Sequence, residues 1–148
     1  MSEVLIQTLS PQVVSAVLRQ LNQGEIEDAV ACFTTNFRYK DHGIGLEFTD
    51  KERLTEFFRK TREFYPDYFL QVDQTFISGE HVITQWTLHV TTTEPFYALL
   101  TRRIPISIAG VSIVRTDNGT IADWADYYDG LTSRRTALAA AFTEWVEY

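Results

Sequence analysis

Between residues 68 and 129 apolar and polar residues alternate in long runs, which commits this half of the chain to a β-sheet. A period of two sends successive side chains to opposite faces of a strand. The run 68–77 ends at a turn at Ser78-Gly79. The run 81–91 places Val82, Thr84, Trp86, Leu88 and Val90 on one face and His81, Gln85 and His89 on the other. Residues 92–101, with Pro95, read as a loop. Residues 103–116 read as a third strand, with Pro105 near its start or on an edge, because proline has no N–H for a ladder. Asp117-Asn118-Gly119 is a hairpin signal. The last run, 120–129, gathers Ala122, Trp124, Asp126 and Tyr128 on one face.

The first half has a helical period. Ser10-Pro11 reads as an N-cap followed by a first helical residue, with Val14, Val17, Leu18 and Leu21 along one stripe and Gly24 as the stop. A second helix opens with Glu25, Glu27 and Asp28, whose charges suit its positive end, and its stripe is Ile26, Ala29, Val30 and Phe33. A short strand, 37–41, puts Phe37, Tyr39 and Asp41 on one face. Gly43 and Gly45 turn the chain. Thr49 to Glu52 forms a capping box for a helix carrying Leu54, Phe57, Phe58 and Thr61, which ends by Pro66. A terminal helix from about residue 133 carries Leu138, Phe142 and Trp145 on one stripe. Helices first and a meander afterwards indicate an α+β fold. Its strongly curved antiparallel sheet wraps around the N-terminal helices as a cone with an internal cavity.

Composition narrows the function. At 148 residues the chain is read as one domain, 1–148, large enough to bury a core without staples. Its net charge of −7 is spread over both halves, so no basic surface is left to grip phosphates, and no nucleic-acid partner is expected. Cys32 is the only cysteine, which rules out an internal disulfide or a thiolate metal cluster and makes a reducing cytoplasm the expected setting. The start, with Glu3, Pro11 and no basic stretch, does not read as a signal peptide. No apolar run approaches the roughly 18 residues of a membrane span, so no membrane partner is expected. Aromatic residues make up 14% of the chain, enough to line a pocket as well as fill a core.

Two carboxylates fall on faces that are otherwise apolar. Asp41 continues the Phe37/Tyr39 face, and Asp126 sits between Trp124 and Tyr128. Burial disfavours the charged form of a carboxylate and raises its pKa towards the range useful for proton transfer. Each Asp reads either as half of an acid/base pair in one cavity or as a strand-end residue bonded to backbone N–H groups. His42 reads either as a group orienting Asp41 or as a solvated turn residue. His81 and His89 fall on the polar face, at a surface or subunit interface. Tyr39, Trp86, Trp124 and Tyr128 are pocket walls or plain core. No metal-ligand spacing, GxGxxG, P-loop, GxSxG or HExxH is present, so neither metal nor cofactor is expected. The hairpin leaves one register open. An odd loop at 117–119 faces Ser112 towards Asp126, whereas an even loop puts Val111 there.

Gly24-Glu25-Ile26-Glu27, a strand ending in Asp41, and a meander ending Gly119-Thr120-Ile121…Trp124-Ala125-Asp126-Tyr127-Tyr128-Asp129 resemble the SnoaL-like branch of the nuclear transport factor 2-like (cystatin-like) superfamily. The resemblance covers roughly residues 10–131. That superfamily holds ketosteroid isomerases, limonene epoxide hydrolases, polyketide cyclases, scytalone dehydratases and non-catalytic binding proteins. The resemblance implies that Asp126 stands where cyclases and epoxide hydrolases have their acid/base Asp. Asp41 stands where ketosteroid isomerases have their general base, and Tyr39-x-Asp41 where epoxide hydrolases have Tyr-x-Asn. The chain departs from the relatives elsewhere. Trp86 and Leu88 replace the Arg-x-Asp of epoxide hydrolases, Val17 stands near the isomerases' enolate-stabilising Tyr, and Ser112 replaces the cyclases' His.

The expectation is an enzyme that needs no cofactor and carries out isomerase, cyclase or dehydratase chemistry. It takes an apolar cyclic ligand of polyketide, steroid or terpenoid type in one cavity of about 300–1,000 Å³. Asp126 and Asp41 share the acid and base roles. Tyr39, Ser112 and Tyr128 donate hydrogen bonds, Trp86 and Trp124 form walls, and His42 lies beside the ligand. Relatives pair through the outer sheet face, which implies a homodimer. The alternatives are a non-catalytic binding or carrier protein of the same fold, and a protein-interaction module using the outer β face.

Overall fold

The first helix, α1 (Glu3–Gln23), begins seven residues before the Ser10-Pro11 start read from the sequence, and Pro11 lies inside it. Ser10 is not a cap. It is buried, and its hydroxyl donates to Thr116 Oγ1 at 2.6 Å, whose own hydroxyl donates to the Glu80 carbonyl at 3.1 Å. Val14, Val17, Leu18 and Leu21 are buried as their spacing predicts. Gly24 ends the helix at φ +78°, a left-handed position that suits glycine. The computed structural model describes residues 3–92 and 103–131. The loop at 92–101 and the terminal helix with Leu138, Phe142 and Trp145 therefore fall mostly or wholly outside the described residues.

After α1 come α2 (Ile26–Ala31), β1 (Phe33–Asp41), β2 (Leu46–Phe48), α3 (Lys51–Phe64), β3 (Phe69–Ser78), β4 (His81–Thr92), β5 (Ile104–Asp117) and β6 (Thr120–Tyr128). Phe33 belongs to β1 and not to the second helix, because apolar spacing alone does not separate a helix end from a strand start. The short β2 was absent from the sequence reading. The cap of α3 is Asp50 rather than Thr49: its carboxylate accepts from the N–H groups of Glu52 at 2.8 Å and Arg53 at 3.2 Å.

The strands form one six-stranded sheet in the order β2-β1-β6-β5-β4-β3. Neighbours are antiparallel except β1 and β6, which run parallel. The face of β4 follows its alternation: Val82, Thr84, Trp86 and Val90 are buried, and His81 and Gln85 are exposed. Pro105 sits second in β5, opposite Thr91, and β6 joins β5 only from Gly110 onward, so the missing N–H breaks no inner ladder there. Gly110 lies opposite Trp86, and a Cβ on it would come within 2.2 Å of the indole. The absent side chain is what lets that ring lie over β5.

The hairpin between β5 and β6 decides the site. Asn118 and Gly119 have φ of +51° and +81°, a two-residue turn between the paired Asp117 and Thr120. Such an even loop would put Val111 opposite Asp126. A bulge intervenes: Thr116 pairs with Ile121 and Arg115 with Asp123, leaving Ala122 as the extra residue. The ladder shifts by one, and Ser112 faces Asp126.

Candidate functional site

A cavity of about 200 Å³ lies between the concave face of the sheet and helices α1 and α3. It is smaller than the size expected from the sequence because aromatic rings fill much of the space. Among the described residues, β1 contributes Tyr39 and Asp41, β4 contributes Trp86, β5 contributes Ser112, and β6 contributes Trp124, Asp126 and Tyr128. Leu18 and Leu21 come from α1, and Phe57, Phe58 and Thr61 from α3. Ile44, 52% exposed, marks the rim.

The two carboxylates occupy this one space. Asp41 and Asp126 are paired residues of the parallel strands β1 and β6, so both point to the same side of the sheet. Asp126 Oδ1 accepts from Ser112 Oγ at 2.5 Å and from Trp124 Nε1 at 2.6 Å, and Oδ2 accepts from the Tyr39 hydroxyl. Ser112 in turn accepts from Trp86 Nε1 at 2.8 Å. Asp41 is 5% exposed; its Oδ2 accepts from the Tyr128 hydroxyl at 2.9 Å and its Oδ1 from the Ile44 N–H at 3.1 Å. Tyr39 and Trp124, also paired across these strands, stack with centroids 6.2 Å apart.

Burial dominates the electrostatics. It pushes Asp126 up to about 6, against the pull of the hydrogen bonds from Ser112, Tyr39 and Trp124, and the charge of Asp41 adds to the rise. Burial also raises Asp41, partly offset by the Tyr128 hydroxyl and nearby backbone N–H groups. The hydroxyls of Tyr39, Tyr68 and Tyr128 are driven up by burial and by the neighbouring carboxylates, so they remain protonated donors. The result is a carboxyl that exchanges its proton near neutral pH inside an aromatic enclosure, which is what general acid/base chemistry needs.

Seven of the eight residues singled out in the sequence meet at the cavity; His42 does not. Its ring stacks on Tyr127 at 4.1 Å and faces a separate hollow with Arg38, Lys40 and Asp123. Alternation carries His42 to the face of Arg38 and Lys40, opposite that of Asp41, so its ring lies on the other side of the sheet. Only its backbone serves the site, through its N–H to the Asp126 carbonyl at 2.9 Å.

Sequence reasoning missed Tyr68, whose hydroxyl makes no hydrogen bond to another described residue while its ring lines the cavity. Arg62 holds it in place, with Nη1 bonded to the Tyr68 carbonyl at 2.9 Å and the guanidinium 5.5 Å from the ring centroid. Tyr68 opens the alternating run 68–77 with the parity of Leu70, which also lines the cavity, so alternation is the signal that could have found it. Tyr65, Phe57 and Phe58 were missed as lining residues because an aromatic on a helix stripe reads as core. Among the described residues no group of His, Cys, Asp and Glu is placed to hold a metal ion, and no helix is long and apolar enough to cross a membrane.

Comparison with known proteins agrees with this architecture. The wild-type IdmH of Streptomyces antibioticus, a proposed polyketide cyclase, superposes with a TM-score of 0.76 at 17% identity, over 86% of this chain and 97% of that one. An LEH-like epoxide hydrolase of M. tuberculosis gives 0.71 at 16% identity, over 95% and 98%. A protein of ketosteroid isomerase-like fold from Catenulispora acidiphila, in complex with trimethylamine, gives 0.71 at 19% identity, over 82% and 88%. At these identities the likeness is one of fold. No curated protein matches the chain. The profile of the SnoaL-like domain matches residues 14–124, three quarters of the chain, and with the curved sheet over N-terminal helices it makes this protein a member of the SnoaL-like domain family.

Proposed function

We propose that this chain is an enzyme, independent of cofactors, that moves a proton on a small cyclic substrate held in the cavity. The observation that carries the reading is Asp126: a carboxyl pushed up to about 6, held by Ser112, Trp124 and Tyr39, and facing the same space as Asp41. Asp126 Oδ2 removes a proton from a carbon beside a carbonyl, and the C–H electron pair becomes an enolate. The Tyr68 hydroxyl, unpaired among the described residues, donates to the developing oxyanion. Return of the proton at another carbon gives isomerisation, attack of the enolate on a second carbonyl gives aldol cyclisation, and loss of hydroxide gives dehydration. The cavity volume favours a single terpenoid-sized ring over a steroid or polycyclic polyketide. The relative in complex with trimethylamine supports a small-molecule role.

Deuterium incorporation into enolisable cyclic ketones in D2O tests this without knowledge of the natural product. Asp126→Asn should lose about 10²–10⁴-fold in exchange rate, the usual contribution of a positioned base, while keeping its melting temperature. A destabilised variant with intact exchange would sink the reading.

A second reading, a binding or carrier protein without chemistry, draws on Trp86 and Leu88, which line the cavity where epoxide hydrolases have a charged pair. Ligand binding with no exchange would favour it. We also infer pairing of two copies through the outer sheet face, supported by the exposed Phe69, Phe76 and Ile113, which lie on that face. Light scattering that finds only monomer at high micromolar concentration would reject the dimer.

A further inference from the structure

We propose that the cavity selects a small organic cation, a single ring carrying a protonated amine, over neutral and anionic molecules of the same shape. This rests on the reading above that the cavity is the ligand site, and it names the chemistry of the ligand.

Size sets the first limit. An apolar cavity of about 150 Å³ takes benzene, so the 200 Å³ found here takes one ring and a short substituent.

Hydrogen-bond polarity sets the second. The donors around the carboxylates are already used: Tyr39, Ser112 and Trp124 give theirs to Asp126, Tyr128 gives to Asp41, and Trp86 gives to Ser112. The Thr61 hydroxyl donates to the Phe57 carbonyl at 2.8 Å. What the carboxylates still offer is acceptance. A carboxylate oxygen takes about two hydrogen bonds, and Asp126 Oδ2 and Asp41 Oδ2 each take one from the described residues. A ligand that docks on them must therefore donate, and the Tyr68 hydroxyl is left for an acceptor elsewhere on the same ligand.

Charge sets the third. Among the described residues no Lys, Arg or His lines the cavity, so its two carboxylates have no cationic partner there. A buried carboxylate without a counter-charge is costly, and a ligand ammonium supplies one. The rings of Tyr68, Trp86, Trp124 and Tyr128 also line the cavity, and π-faces attract a cation. An anion of the same shape meets repulsion from both carboxylates and gains nothing from the rings.

Isothermal titration calorimetry of the full chain with benzylammonium, benzyl alcohol and benzoate tests this, since the three differ in charge at nearly equal shape. Benzylammonium is expected to bind at least about tenfold more tightly than benzyl alcohol, and benzoate not at all. Asp41→Asn and Asp126→Asn are expected to bring the preference down towards unity while retaining benzyl alcohol binding, which also reports that they are folded. The comparison in the unmodified protein stands even if a variant does not fold. Benzyl alcohol or benzoate binding as tightly as benzylammonium, no saturable benzylammonium binding, or an undiminished preference in both variants would overturn the proposal. Deuterium exchange without cation preference would overturn it and leave the catalytic reading standing; cation preference without exchange would do the reverse.

Discussion

Asp41 and Asp126 are register partners on the parallel strands β1 and β6, and each accepts a tyrosine hydroxyl from the other's strand. Tyr39, two residues before Asp41, donates to Asp126. Tyr128, two residues after Asp126, donates to Asp41. The spacing of two keeps each pair on one face, so the crossed bonds lock both carboxyls into the same cavity. A slip of either strand by one residue would send one carboxyl to the opposite face.

Ser112 couples this arrangement to β4, since it donates to Asp126 and accepts from Trp86. Ser112→Ala removes the largest of the hydrogen-bond effects that hold Asp126 down, and it leaves the Trp86 N–H buried without a partner. The carboxyl should titrate still higher, and the fold should lose about 1–3 kcal/mol. Carbon NMR of the Asp126 carboxyl and thermal melts of the variant check the two effects. A variant that changes neither would show that the Ser112 bond carries no weight.

Proton linkage makes a prediction with a definite sign. Asp126 has an ordinary value of 3.8 and a folded value of about 6, so within that interval the folded state binds the proton more tightly. Its stabilising contribution is fully present below the lower value and is lost as pH rises through the upper one. Asp126→Asn abolishes the effect while leaving Asp41 in place. Denaturant melts of both proteins should show wild type gaining on the variant as pH falls from about 7 to about 4. A difference independent of pH, or one of opposite slope, would contradict the raised value.

Gly43 allows the Tyr128 ring to approach: a Cβ there would lie 2.2 Å from the ring's Cζ. Gly43→Ala should push Tyr128 off Asp41 and cost about 1–3 kcal/mol through overpacking. Ligand affinity should fall, because the Tyr128 ring lines the cavity, while the titration of Asp126 should move little. Calorimetry and NMR on this single variant separate the outcomes, and an unchanged melting temperature would contradict the packing argument.

The buried row of β4, Val82 to Val90, was legible in the sequence because a period of two survives wherever one face meets a core. For the same reason the faces of β1 and β6 brought Asp41 and Asp126 together with Tyr39, Trp86, Trp124 and Tyr128. The position of Ser112 was not legible. It depends on the bulge at Ala122, and Ile121 and Ala122 are both apolar and both buried, so the sequence carries no mark of which residue is extra. The three residues of β2 are too few for any period to register. Ser10 resembled a cap because a serine before a proline does so locally; its bond to Thr116 spans 106 positions, and no local signal encodes such a contact. Alternation also marked His42 and Tyr68: His42 has the parity of Arg38 and Lys40, away from Asp41, and Tyr68 has the parity of Leu70, which lines the cavity with it.

The account turns on one carboxyl that changes its protonation near neutral pH inside the cavity. Carbon-13 NMR titration of the Asp126 side-chain carboxyl, assigned with Asp126→Asn, measures that property without any substrate. A midpoint pushed up to about 6 is the result the account predicts. A midpoint at or below the ordinary 3.8 would mean that the bonds from Ser112, Trp124 and Tyr39 outweigh burial, and that Asp126 is a structural anchor and not a proton carrier.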